Sequence, residues 1–121
     1  MILWSLAKKA SSLTTFLSVD RYVVHVLSAS QLHLAKRFAY GSQAERFAQV
    51  QTCHSPAGTL MLSDTDVTAR FECFNLAQHE AGDHYVFIGQ VEHCERQFHQ
   101  PLVYHAGDFD LTPSIEPITG R

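Results

Sequence analysis

Between residues 67 and 111 the chain carries two long strand-like runs joined by a tight Gly82-Asp83-His84 connection, and this pattern restricts the fold more than any other stretch. From 67 to 73 the residues alternate, with Val67, Ala69, Phe71 and Cys73 on one side and Thr68, Arg70 and Glu72 on the other. That is the period-2 pattern of a strand with one buried and one solvated face. Phe74 interrupts the alternation. Tyr85, Val86, Phe87 and Ile88 are apolar on both faces, which predicts a strand that starts buried between two layers. Alternation resumes at Gln90, Val91 and Glu92 as that strand approaches the surface. The glycine and aspartate between the runs are turn residues, so a long antiparallel hairpin is expected.

The rest of the chain supplies shorter elements. Residues 2–6 form a strand pattern, residues 7–12 a loop in which Ser12 is positioned to cap a brief helix over 13–17, and 22–27 a β-branched, aromatic strand. Ser28-x-x-Gln31 and Ser42-x-x-Glu45 are capping-box signatures, the first preceding the helical pattern Leu32, Leu34, Ala35, Phe38 and the second a shorter helix with Phe47. Residues 53–57 read as a loop with a proline, 58–62 as a short strand and 63–66 as a polar turn. Pro101 opens a further strand over 102–105, and 112–121, with two prolines, reads as a loose tail. Strands dominate, so the expected class is mainly β, an antiparallel barrel or strongly curved sheet with two short helices, in a single domain spanning 1–121.

Composition excludes several function classes. With 45% hydrophobic and 17% charged residues, the 121-residue chain has enough apolar side chains to build one core. Nine basic against twelve acidic residues give a net charge of -3, and no basic run suits nucleic acid or an anionic membrane. No apolar stretch approaches the ~20 residues that span a bilayer. Cys53, Cys73 and Cys94 form no C-x-x-C pair, which suits reduced thiols in the cytoplasm. The eight histidines match no standard zinc spacing, so no metal is expected. Neighbours such as Cys53-His54 and His93-Cys94 point to opposite faces of a strand and so form no nucleophile–base pair.

A family resemblance rests on an ordered set of short pieces: Phe71-Glu72-Cys73, Gly82-Asp83-His84, Gly89-Gln90-Val91, Pro101-Leu102-Val103-Tyr104 and Gly107-Asp108-Phe109, preceded by Val26-Leu27-Ser28, Gln31, Leu34-Ala35 and Phe38-Ala39. Together they resemble the flavin reductase-like, FMN-binding split-barrel family over residues 2–111. The resemblance implies an antiparallel split β-barrel lacking the family's first strands and their Ser/Thr-rich loop, which would leave residues 2–6 with an unpaired edge. His25 departs from the asparagine that many relatives carry, and reads as a local packing change.

The same resemblance implies hydride transfer from NADH or NADPH to FMN or FAD, a homodimer, and the supply of reduced flavin to a monooxygenase component. It places the flavin-contacting loop at residues 5–12, making Ser5, Lys8, Lys9, Ser11 and Ser12 the phosphate and ribityl candidates; hydroxyls and ammonium groups are the donors a phosphate requires. It assigns His84 to placing the nicotinamide ring, and Tyr104 and Phe109 are aromatic candidates for stacking on a flavin or nicotinamide. The rival from another class is a truncated, non-catalytic flavin-binding or dimerisation module.

Overall fold

The computed structural model describes residues 1–47, 50–63 and 65–110, with the side chains of 43, 45 and 108–110 outside that description. The expected loose tail at 112–121 also lies outside it. The hairpin dominates: β5 (Ala69–Ala81) and β6 (His84–Arg96) pair antiparallel along their whole length, about 40 Å at ~3.3 Å per residue. Gly82 is the first of the two loop residues and takes φ +60°, a conformation that glycine adopts at no steric cost. The interruption of the alternation at Phe74 falls inside this strand, between two irregularities. They are register shifts at Glu72/Cys73 and Asn75/Ala77, and such bulges bend and twist the ribbon.

β1 (Ile2–Ala7) pairs with the first half of β6, and β2 (Arg21–Val26) with the first half of β5, giving an antiparallel sheet in the order β1-β6-β5-β2. β1 and β2 are its edges. α1 (Leu13–Ser18) packs on the curled sheet through Phe16, and α2 (Leu32–Tyr40) follows a 3-10 turn at Ala29–Gln31 and precedes the single turn of α3 (Gln43–Arg46). β3 (Thr52–His54) and β4 (Leu60–Leu62) form a two-stranded ribbon, and β7 (Val103–His105) and β8 (Asp108–Asp110) another. The expected loop at 53–57 is therefore corrected. Its first residues pair with β4, Cys53 opposite Met61, and the loop proper begins at Ser55.

The core is aromatic. Trp4 of β1 stacks on Phe87 of β6 at 4.4 Å, and Phe16 of α1 and Tyr22 of β2 meet the Trp4 ring edge-on at 5.1 and 5.4 Å. Gly89 leaves room for this cluster: a Cβ there would lie 2.7 Å from the Tyr22 hydroxyl and 3.0 Å from the Cys73 Cβ. Of the four apolar residues expected to be sandwiched, only Phe87 is fully buried; Tyr85, Val86 and Ile88 are half-buried.

The helix ends are satisfied in two different ways. At Ser28 the capping signature is realised through Gln31, whose Oε1 accepts the Ser28 N–H at 3.0 Å. Ser12 occupies the N-cap position of α1 but has helical backbone angles and makes no side-chain cap bond, a correction to the expectation from sequence. The other end of α1 is held from β5, where Asn75 Nδ2 donates to the carbonyls of Phe16 and Val19 at 2.7 and 2.9 Å.

The supposed solvent face of β5 is a further correction. Arg70 and Glu72 are 7% and 3% exposed, and the segment between β3 and β4 lies against Glu72. The Ser55 hydroxyl and the Ala57 N–H (3.2 Å) both donate to the Glu72 carboxylate, while Arg70 pairs with Glu95 on β6. Burial alone would raise the Glu72 pKa, but the bonds from Ser55, Thr59 and Ala57 outweigh it and hold the carboxyl below its usual range.

His25 fastens the β2 edge to the β3–β4 ribbon. Its Nε2 accepts the Leu62 N–H at 3.1 Å, and the ring also bonds the Val23 backbone. Burial, reinforced by the Arg70 charge, lowers its pKa from 6.5 to about 4. Between these values the unfolded chain takes up a proton that the folded ring refuses, so stability falls with acidification across this window, by at most about 1.4 kcal/mol per pH unit. Chemical denaturation of the His25→Gln variant, compared with wild type from pH 7 to 4, is expected to show a shallower loss; equal slopes would place the titration elsewhere.

Candidate active site at the hairpin tip

The register of β1 on β6 brings together two regions far apart in sequence. Ala7 lies opposite His84, and Ser5 opposite Val86, so β1 delivers the loop at 8–12 to the tip of the long hairpin. One bond locks the junction: the Lys8 N–H donates to the Asp83 carbonyl at 2.9 Å. The loop then turns back through an Ala10 N–H bond to the Ala7 carbonyl before α1 begins.

The candidate groups are distributed unevenly around this junction. Ser5, Lys9 and Ser11 are exposed, and Ser12 is half-buried where the loop enters α1. Lys8 is engaged within the tip, its Nζ 2.5 Å from Glu80 Oε1 and 5.8 Å from the centre of the Tyr85 ring. The His84 side chain is 43% exposed, with Nδ1 2.8 Å from Asp83 Oδ1. The hydrogen bond from His84 holds the Asp83 carboxyl below its ordinary pKa. Two partners in this cluster are Glu80, which was not singled out from sequence, and Asp83, which was read there as a turn residue. The second sits beside His84 in the Gly-Asp-His run; the first is 72 positions from Lys8 and becomes a neighbour only through strand pairing.

Tyr104 is at the other end of the sheet. Arg96, which ends β6, pairs with Ala69, and Ala69 with Val26. Just beyond, the Leu102 N–H donates to the Leu27 carbonyl, and Ser28 bridges Pro101. Tyr104 thus follows the end of β6 opposite to His84, about 40 Å along the strand. Phe109 pairs with Tyr104 through the backbone in the β7–β8 ribbon, and its side chain lies outside the described part.

Among the described residues no group of histidines, cysteines and carboxylates is arranged to hold a metal. Cys53, Cys73 and Cys94 are free thiols, with Cys73 buried on the face expected. A cavity of about 630 Å³ opens beside β2, lined by Phe16, Val23, Leu34, Phe38 and Met61 among others; none of the eight candidate residues lines it. A more polar hollow of about 550 Å³ lies between α2 and the ribbon, with His33, Arg37, Ser63 and Thr65 on its wall. The i, i+4 spacing of His33 and Arg37 is the sequence signal that marks this second hollow.

A model of the flavin reductase like domain matches residues 1–112. The chain belongs to the flavin reductase-like family. The FMN reductase (NADH) SmoA of Agrobacterium fabrum is 34% identical over 109 residues, covering 90% of this chain and 60% of that protein. The reductase component of the flavin-dependent trigonelline monooxygenase of Acinetobacter baylyi is 29% identical over 114 residues, covering 94% of this chain and 36% of that protein. Among solved structures, the Streptomyces globisporus NADH:FAD oxidoreductase SgcE6 in complex with NAD and FAD fragments superposes with a TM-score of 0.81 at 25% identity, over 94% of this chain and 69% of that one. The chain therefore spans less than two thirds of these two curated relatives, and the curled antiparallel sheet is the split-barrel architecture of flavin reductases.

No helix among the described residues is long and apolar enough to cross a membrane. The donor set at the hairpin tip suits a flavin nucleotide: Lys9 offers a solvent-facing ammonium and Ser5 and Ser11 offer solvent-facing hydroxyls, the groups that bind a phosphate.

Proposed function

We propose that this flavin reductase-like domain transfers hydride from NADH or NADPH to FMN or FAD, working in the cytoplasm as a homodimer and passing reduced flavin to a monooxygenase component. The observation that carries this reading is the junction of the loop at 8–12 with His84, made by the Lys8 N–H to Asp83 carbonyl bond. The relatives named as NADH-dependent FMN reductase and as the reductase component of a monooxygenase support it. The bound nucleotides supply the reaction itself, C4 of the nicotinamide giving the hydride to N5 of the flavin.

The chain's own residues bind and orient. Lys9, Ser11 and Ser12 hold the flavin phosphate and ribityl chain, Ser5 adds a hydroxyl from β1, and Lys8 shapes the loop through Glu80 while lending its charge. His84, exposed at the tip, places the nicotinamide. Tyr104 and Phe109 belong to the other end of the sheet, so any stacking role for them is toward a site completed by the second copy. Since hydride transfer needs no acid or base, orientation is the protein's main contribution.

His84→Ala is expected to raise the KM for NADH about tenfold, the equivalent of about 1.4 kcal/mol of binding, while leaving the FMN dissociation constant unchanged. Steady-state kinetics paired with FMN fluorescence titration checks this. Unchanged KM and turnover would remove His84 from the nicotinamide site.

A further inference from the structure

We propose that Asp83 is the positioning residue of His84: its carboxylate holds the imidazole as the Nδ1–H tautomer, so that Nε2 presents a lone pair to the N–H of the nicotinamide carboxamide. The proposal rests on the placement of nicotinamide at His84 given above. Asp83 Oδ1 lies 2.8 Å from His84 Nδ1. An ionised carboxylate only accepts hydrogen bonds, so the nitrogen facing it at this distance carries the proton. In a neutral ring the other nitrogen is then an acceptor.

The backbone makes this contact a built one. Gly82 takes φ +60° to close the turn, Ala81 pairs with His84 as the last rung of the hairpin, and the Asp83 carbonyl accepts the N–H of Lys8, the residue after β1. The main chain of Asp83 is therefore held between the hairpin and the residue after β1, while its side chain, 96% exposed, accepts from the adjacent ring and from its own backbone N–H. Glu80, the other carboxylate at the tip, is engaged by Lys8. A carboxylate beside Nδ1 with Nε2 directed to a ligand is the arrangement by which histidines elsewhere have their tautomer and ring orientation set. The chemistry selected at Nε2 is a primary carboxamide N–H, which both NADH and NADPH carry, so this contact does not distinguish the two.

Long-range ¹H–¹⁵N NMR of the full chain reads the tautomer without any cofactor. Wild-type His84 is expected to be protonated at Nδ1. Asp83→Ala is expected to move the proton to Nε2, and Asp83→Asn, whose amide oxygen still accepts, to retain it at Nδ1. In kinetics Asp83→Ala is expected to raise the KM for NADH about fivefold, the worth of one ordinary hydrogen bond, with kcat held within about twofold. In a His84→Ala background the same change is expected to add nothing. A wild-type ring bare at Nδ1, a tautomer untouched by Asp83→Ala, or a KM effect that persists without His84 would each overturn the proposal. Were the domain to oxidise no nicotinamide nucleotide at all, the functional reading would fail while the imidazole spectra still decided the role of Asp83.

Discussion

Phe87→Ala is expected to lower the free energy of unfolding by about 3–5 kcal/mol, the range for removing a fully buried aromatic ring. Phe87 has no exposed surface, stacks on Trp4 and meets Phe16 edge-on at 6.4 Å. Its loss would leave the stacked face of Trp4 without a partner and loosen the contact between α1 and the sheet. Among the described residues β1 pairs with β6 alone, and Phe87 lies opposite Trp4 in that pairing. The damage should therefore spread to residues 8–12, and flavin affinity should fall with stability. Urea unfolding followed by Trp4 fluorescence measures the first effect; a change below about 1 kcal/mol would mean that the aromatic cluster does not anchor the sheet.

Glu72→Ala is expected to cost roughly 2–4 kcal/mol by a different route. The carboxylate accepts from the Ser55 hydroxyl and the Ala57 N–H inside the fold, and each donor left unsatisfied costs about 1–3 kcal/mol. The loop at 55–59 should open, exposing backbone amides there to faster hydrogen exchange while those of β6 keep their protection. Because the native carboxyl has a depressed pKa, its contribution is fully present above the ordinary glutamate range and disappears as pH falls through the lower, folded value. Glu72→Ala should therefore be less acid-sensitive than wild type below about pH 4.5. Unchanged exchange at 55–59 would show that the loop is held by something other than Glu72.

The long hairpin was legible because two local signals agreed: alternation on either side, and a Gly-Asp turn able to supply a positive φ. The Ser28 junction was legible for the same reason, since the Gln31 side chain acts on a backbone group only three positions away. Arg70 and Glu72 were misread because alternation reports the faces of a strand and not what later covers them. Their cover comes from another part of the chain, and Glu72 accepts its bonds from residues 15 and 17 positions distant. β3 was missed because a three-residue strand is too short to show a period, and Pro56 nearby suggested a loop.

The site divides in the same way. The family resemblance supplied the loop at 5–12 and His84 as separate pieces, and strand register made them neighbours. The pairing of Lys8 with Glu80 is a product of that register, which no local pattern announces. Tyr104 and Phe109 came from the same resemblance, and they follow the end of β6 opposite to the one that carries His84.

NADH and NADPH oxidation by the purified 121-residue chain, followed anaerobically with FMN or FAD while its mass in solution is measured, addresses the central claim most directly. The expected result is one flavin reduced for each nicotinamide oxidised, at a rate well above the protein-free control, by a discrete dimer. Binding of FMN with no acceleration from either nicotinamide nucleotide would contradict it, and would mean that the hairpin tip holds a flavin without presenting it for hydride transfer.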